Sequence, residues 1–180
     1  MTATKNPFKK SELIIFSITV LVFCVFTIMD RTSRDCSQFL QKRVISGNSL
    51  TGLLENGQKV RICYSVENIS RDDIVAYQLV ENREMIKIVK AIPGDTWQIQ
   101  VSPQGDYNLI VNNQVVVNHQ SEPYRLQSNQ RDLLMLYQRD YGSTIPNNAY
   151  LIFGNDPTGS QDSSRFGLVS GRDIRGIVIR

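Results

Sequence analysis

Three short segments hold the residue types that a hydrolytic site built without metal would need. The first is Ser46-Gly47-Asn48-Ser49-Leu50-Thr51-Gly52-Leu53-Leu54, which follows the apolar pair Val44-Ile45. A serine hydroxyl becomes a useful nucleophile when an adjacent base takes its proton. Alone, a serine in a glycine-flanked turn reads as a loop residue bonding its own backbone. The second segment is Met85-Ile86-Lys87-Ile88-Val89-Lys90-Ala91-Ile92-Pro93-Gly94-Asp95. Strand side chains alternate, so Lys87 shares a face with Met85, Val89 and Ala91. A lysine on an apolar face gives up its proton more readily. A lysine base requires this, because its reference pKa of about 10.4 must fall towards neutrality. Lys90 alternates onto the face of Ile86, Ile88 and Ile92, so periodicity alone does not choose between the two. Either also reads as an edge-strand lysine whose ammonium reaches water. The third segment, Gly154 to Gly167, is a polar loop carrying Ser160, Asp162, Ser163 and Arg165, of a common composition.

Other chemistries find little support. The single histidine, His119, lies in a polar segment with no nucleophile motif beside it, which argues against a Ser–His–Asp triad. One histidine and three scattered cysteines do not make a metal site, and no cofactor is expected. The net charge is +3 with no Lys/Arg-rich run, so nucleic acid is not an expected partner.

The elements that must position these residues are short. The 180-residue chain has room for one folded domain and a membrane segment. Lys5, Lys9 and Lys10 precede an apolar run from Leu13 to Met29, and charged residues resume at Asp30. At ~1.5 Å per residue this run spans roughly 25 Å as a helix, near the lower end of what crosses a bilayer core. It ends Phe26-Thr27-Ile28-Met29, with no A-x-A-like cleavage site, and Cys24 follows Phe23 rather than a small residue. The run therefore reads as a retained anchor. Residues 1–12 are expected in the cytoplasm, 13–29 in the membrane, and the rest on the exported side. Lipid is then a partner. Cys36 and Cys63 lie in the exported, oxidising compartment, where they either pair or remain two separate buried thiols.

Residues 30–43 read as a linker and 44–180 as the catalytic domain. Candidate strands are Lys59–Ser65, Asp73–Leu79, Glu84–Ile92, Thr96–Val101, Asn108–Val111, Gln114–Val117, Ala149–Gly154 and Ile174–Ile179, rich in Val, Ile and Tyr. Asn112-Asn113 reads as a tight hairpin, and Pro93-Gly94-Asp95 as a sharp turn. Residues 118–148 read as a polar insertion or long loop with one apolar patch, Leu133–Tyr137, and room for one short strand. The pattern predicts a mainly β domain, a folded or partly closed barrel.

Taken together, the segments resemble the ordered boxes of type I signal peptidases. The family's serine box reads approximately S-G-x-S-M-x-P-T-L, and Ser46 to Leu54 supplies S-G-N-S-L-T-G-L-L. Asp73-Ile74-Val75 matches its G-D-I-V box. Its lysine box, K-R-x-x-x-x-P-G-D, aligns Lys87 eight residues before Asp95, which selects Lys87 over Lys90. Val111-Asn112-Asn113-Gln114 looks like its V-N-G turn. The closing box, G-D-N-R-x-x-S-x-D-S-R-x-x-G, is matched by Gly154, Ser160, Asp162, Ser163 and Gly167. The chain departs from the pattern at Leu50 for Met, Gly52 for Pro, and Asn155-Asp156-Pro157 for D-N-R. Ser164 stands where the family has an arginine expected to pair with Asp162, and Arg165 comes one place late.

The resemblance implies a membrane-anchored serine endopeptidase of the inner membrane, with its catalytic domain on the periplasmic side. Ser49 would attack and Lys87 act as base. The Ser49 N–H, with Ser46 or a backbone group, would serve the oxyanion. Ser160 would hydrogen-bond and orient Lys87, and Asp162 would brace the loop. Its substrate would be an exported preprotein in extended form. The divergent boxes look more like the conjugative-transfer, pilus-processing branch, for which a prepilin would be the substrate. Two rival readings are a catalytically inactive envelope component that keeps the fold, and a self-cleaving protease of the repressor type. The anchor and the missing DNA-binding segment argue against the second.

Overall fold

The computed structural model describes residues 36, 38–66, 68–80 and 83–179. The expected anchor, Leu13–Met29, lies outside them. No helix among the described residues is long and apolar enough to cross a membrane.

Eleven strands follow in chain order: β1 (Leu40–Val44), β2 (Lys59–Cys63), β3 (Ile74–Val80), β4 (Arg83–Ala91), β5 (Trp97–Val101), β6 (Tyr107–Val111), β7 (Gln114–Val115), β8 (Arg125–Leu126), β9 (Ala149–Phe153), β10 (Val169–Ser170) and β11 (Ile174–Ile179). They form a seven-stranded sheet in the order β1-β2-β11-β3-β4-β9-β10, and a four-stranded sheet in which β6 pairs with β5, β7 and β8. The ladders described are antiparallel.

The domain is mainly β as expected, but it is not a closed barrel. Among the described residues no ladder joins β1 to β10, the two ends of the larger sheet. Closure needs the outer strands to pair over their length. Here β10 has two residues, and β1 is exposed at all five of its positions.

The apolar runs build three buried clusters. One gathers Ile45, Leu50, Leu54, Ile62, Ile74 and Ile88, which roots the turn that carries Ser49. A second centres on Val75, Val89, Ile152 and Ile177. The third joins the smaller sheet to β9 through Trp97, Leu109, Tyr124, Leu126, Leu151 and Phe153. The two sharp turns form as read. Asn112 and Asn113 take φ values of 49° and 64°, as a two-residue hairpin requires. Asp95 accepts the Ile92 N–H at 2.9 Å and an amide proton of Asn112 at 2.9 Å, and is also paired with Arg71.

Two expectations are corrected. The stretch expected as linker is already part of the sheet from Leu40, where β1 pairs with β2. The segment 118–148, expected as a polar insertion or long loop with one short strand, carries such a strand in β8 but also a 14-residue helix, α1 (Ser128–Tyr141), that was not expected. Gln130, Leu134 and Tyr137 recur at helical spacing and face inward, the first two fully buried and Tyr137 partly so. The remaining positions are polar enough to sit in water, which hid the period. A second, one-turn helix, α2 (Ser163–Phe166), follows β9. Cys36 and Cys63 form a disulfide, resolving the alternative left open by the sequence.

Candidate active site

β9 pairs with β4 only from Ile88 onward, through Ile88↔Phe153, Val89↔Ile152 and Ala91↔Leu151. The first half of β4, Arg83 to Lys87, therefore has β3 on one side and, among the described residues, no strand on the other. The turn Ser46–Leu54 stands across this gap. Between them lies a cleft of about 500 Å³, lined by Val44, Ser46, Ser49, Met85, Ile86 and Lys87.

At the floor of the cleft the Lys87 Nζ lies 2.7 Å from the Ser49 Oγ. Lys87 is 3 % exposed. Burial pushes its pKa below the usual lysine range, and the negative charge of Asp162 pulls weakly the other way. As a neutral amine Nζ has a lone pair directed at the hydroxyl, so the contact can reverse and the amine can accept the serine proton. Lys90 lies in a separate setting. Its Nζ is paired with Asp72 at 2.7 Å and stands 5.9 Å above the Tyr124 ring. It lines a larger cavity of about 620 Å³ with Arg71, Asp72, Val116, Asn118 and His119, away from Ser49 and Lys87.

The Ser49 turn is held from both sides. Leu50 and Leu54 anchor it in the core, and the N–H groups of Leu53 and Leu54 both bond to Leu50 O. The Gly47 N–H donates to Asn56 Oδ1 at 3.0 Å. Thr51 N–H bonds to Asn48 O, but the Ser49 N–H takes part in none of the turn's bonds among the described residues. It is free to donate to an oxyanion. Ser46 is exposed in the same cleft.

Asn155, marked in the sequence only by its mismatch to the family box, is the main clamp. It is 2 % exposed. Its N–H donates to Ser49 O at 2.6 Å, and its side-chain amide donates to Thr51 O and Gln120 Oε1, each at 2.9 Å. Its Oδ1 accepts the His119 N–H at 2.9 Å. Gly154 makes this approach possible, because a Cβ there would stand 2.8 Å from Ser49 O and collide with the Ser160 side chain. Gly52, where the family pattern has proline, sits at φ +84°. Proline's ring fixes φ near −65°, so this departure belongs to a differently wound turn.

Asp162 is fully buried and accepts four donors: the Gly154 N–H at 3.1 Å, Ser160 Oγ at 2.5 Å, and the Ser164 N–H and Oγ at 3.0 and 2.7 Å. It caps α2 and ties that helix to the end of β9, as a brace would. Ser160 was expected to hydrogen-bond Lys87. Among the described residues its hydroxyl donates to Asp162 Oδ2, and the hydrogen bond of Lys87 Nζ is the one with Ser49. The missing arginine leaves no gap: Ser164 satisfies Asp162, and Arg165 turns outward to donate to Ser160 O at 3.0 Å. His119 is exposed and contributes its backbone rather than its ring.

The sequence model of one family, signal peptidase, peptidase S26, matches residues 12–179. Signal peptidase IB of Staphylococcus aureus is 28% identical over 148 residues, covering 74% of this chain and 73% of that protein. The same protein from strain COL is 27% identical over 148 residues. A solved signal peptidase I from Enterococcus faecalis aligns with a TM-score of 0.40 and 19% identity, over 64% of this chain and 100% of that one.

Proposed function

The chain belongs to the type I signal peptidase family, peptidase S26, and from that membership we propose that it is a membrane-anchored serine endopeptidase in which Ser49 attacks and Lys87 is the base. The observation that carries this reading is the 2.7 Å contact between a buried lysine amine and a serine hydroxyl at the floor of an open cleft.

An extended substrate adds along the unpaired edge from Arg83 to Lys87, completing the sheet where β9 has left it. Its scissile carbonyl then meets Ser49. Neutral Lys87 takes the hydroxyl proton as the Oγ–carbon bond forms and delivers it to the leaving amine as the peptide C–N bond breaks. Water, giving a proton to Lys87 in turn, then hydrolyses the acyl ester and frees Ser49. The Ser49 N–H and a second donor, the Ser46 hydroxyl or a backbone group, receive the oxyanion. Asp162 and Ser160 support the site from behind. The substrate is an exported preprotein, and the divergent turn around Gly52 and Asn155 fits a specialised branch that processes a prepilin. The anchor is Leu13–Met29, with the domain on the periplasmic side of the inner membrane. The rival reading, a catalytically inactive envelope component, is opposed by the retention of both Ser49 and Lys87.

The test is cleavage of a candidate exported precursor by the purified full chain in detergent. Ser49→Ala and Lys87→Met should each abolish it, and the double variant should be little worse, because the pair acts as a unit. Lys90→Met should be mild. Cleavage by Lys87→Met at the parent rate would end this assignment.

A further inference from the structure

A buried file of polar side chains runs from α1 to the back of the Ser49–Lys87 site. Gln130 is 6 % exposed, Ser164 1 % and Asp162 0 %. Gln130 Nε2 donates to Ser164 Oγ at 2.8 Å, and Ser164 Oγ donates to Asp162 Oδ1 at 2.7 Å. Two facts of hydrogen-bond chemistry give this file a direction. A hydroxyl has one proton, and a donor occupying one of its lone pairs leaves that proton for another acceptor. The Ser164 proton is thus committed to Asp162. The Gln130 amide is itself fixed, because its Oε1 accepts the Gln127 N–H at 2.7 Å, a bond that its NH₂ group cannot make.

We infer that Gln130 is a positioning residue for the Ser49–Lys87 pair, acting through Ser164 on the orientation and charge of Asp162. The inference rests on the catalytic reading given above. Among the described residues none of α1 lines the cleft; Tyr137 bonds the backbone of α2 at Phe166 O, and the file from Gln130 is the helix's side-chain route to the Asp162 carboxylate. The capping bond at Gln127 sets the amide, the amide sets the hydroxyl, and the hydroxyl shares the charge of the carboxylate. The carboxylate in turn accepts the Gly154 N–H at 3.1 Å, one residue before the Asn155 N–H that holds Ser49 O at 2.6 Å.

The charged groups around Lys87 make the effect readable. Asp162 is the one that acts on the buried amine from the loop behind it. Arg83 and Glu84, on Lys87's own strand, and Arg43, on the facing segment, line the open end of the cleft. On the far side of Asp162 stands Tyr124, whose hydroxyl donates to Gly154 O at 2.6 Å; burial and the charges of Asp162 and Asp72 keep it protonated. With one donor removed, the Asp162 charge is shared less and holds a proton on Lys87 more firmly.

The experiment follows the lysine ε-carbon resonance of Lys87 through a pH titration of the full chain in detergent micelles, assigned by its loss in Lys87→Met. Ser164→Ala should raise the Lys87 midpoint by on the order of half a pH unit. Gln130→Met should raise it by less, and should add nothing in the Ser164→Ala background, since the two act in series. Ser164→Thr, which keeps the hydroxyl, should retain the parent midpoint. An unmoved midpoint in folded Ser164→Ala, or a Gln130→Met effect that persists in the Ser164→Ala background, overturns the inference. Should Ser164→Ala not fold, Gln130→Met decides alone, and an unmoved midpoint there is equally fatal. These readings do not depend on cleavage, so a chain that cleaves without Ser49 would overturn the proposed function while leaving the titration to judge the file.

Discussion

Gly154→Ala offers a direct probe of how the end of β9 places the nucleophile. The backbone there is not in a glycine-only conformation, so the substitution tests close approach and nothing else. The new Cβ would stand 2.8 Å from Ser49 O. A carbon and an oxygen meet comfortably at about 3.4 Å, so the two backbones must part by roughly 0.6 Å. The Asn155 N–H bond to Ser49 O, 2.6 Å long and one residue on, ties that movement to the Ser49 turn. A misplacement of about 1 Å at a reacting group costs roughly 100-fold, so about 0.6 Å should lower kcat by about 10- to 30-fold, with KM little changed. Overpacking should cost about 1–3 kcal/mol of stability. The assay is steady-state cleavage of a peptide bearing an A-x-A-like site by the full chain in detergent, with thermal melts to define where the variant is folded. The Ser160 side chain must also turn aside, so Ser160→Ala is the control. A folded Gly154→Ala with kcat within about twofold of the parent would refute the reasoning. A loss equal to that of Ser160→Ala, with no further loss in the double variant, would assign the effect to that hydroxyl instead.

Three other outcomes follow from the same structure. Burial depresses the folded-state pKa of Lys87 below its ordinary 10.5, so between those two values the unfolded chain binds more protons and stability rises with pH. Lys87→Met should therefore stabilise the domain most at neutral pH and progressively less towards pH 10.5, and denaturant midpoints that differ equally at both ends would contradict this. Gly52→Pro, although it restores the family pattern, must abandon φ +84° and the bond from the Gly52 N–H to Glu55 Oε1. It should cost at least about 1–3 kcal/mol, read by chemical denaturation, and an unshifted midpoint would refute the argument. Breaking the Cys36–Cys63 bond, which spans a sequence separation of 27, should remove about 3.5 kcal/mol on the chain-entropy model and lower Tm by roughly 10 °C. A melt unchanged by Cys63→Ser would show that the unfolded chain is not what the bond constrains.

How far the sequence could be read depended on how strongly each element signals itself. β3, β4, β6, β9 and β11 announce themselves by runs of Val, Ile and Tyr between turn residues, and their observed bounds lie within a residue or so of expectation. β1 could not be read that way. Leu-Gln-Lys-Arg-Val at an edge is exposed throughout, with no buried face to impose alternation. The helix α1 failed for the opposite reason, since two buried positions in fourteen make too faint a stripe, and one of them is a glutamine. At the site, periodicity left Lys87 and Lys90 equivalent, and only the distance to Pro93-Gly94-Asp95 separated them. Geometry adds what no spacing contains: β9 stops at the pair Ile88↔Phe153, which leaves the edge beside Lys87 open. The roles of Asn155 and Gln130 were out of reach, because each depends on partners more than thirty residues away that only the fold brings near.

The disulfide also governs how the domain carries mechanical load. Ser49 lies inside the covalent ring that runs from Cys36 to Cys63. Tension entering through the chain ahead of Cys36 would otherwise fall on β1, an edge strand held by one ladder to β2, and would unzip it one bond at a time towards the Ser46–Leu54 turn. With the sulfurs joined, the pull passes from Cys36 to Cys63 in β2, which is flanked by β1 and β11 and loaded as part of the sheet. The segment bearing the nucleophile lies in the bypassed loop and keeps its own anchors in the core, outside the path of the load. The bond thus acts as a strain relief, separating whatever tugs on the N-terminal side from the sub-ångström register on which the Ser49–Lys87 contact depends.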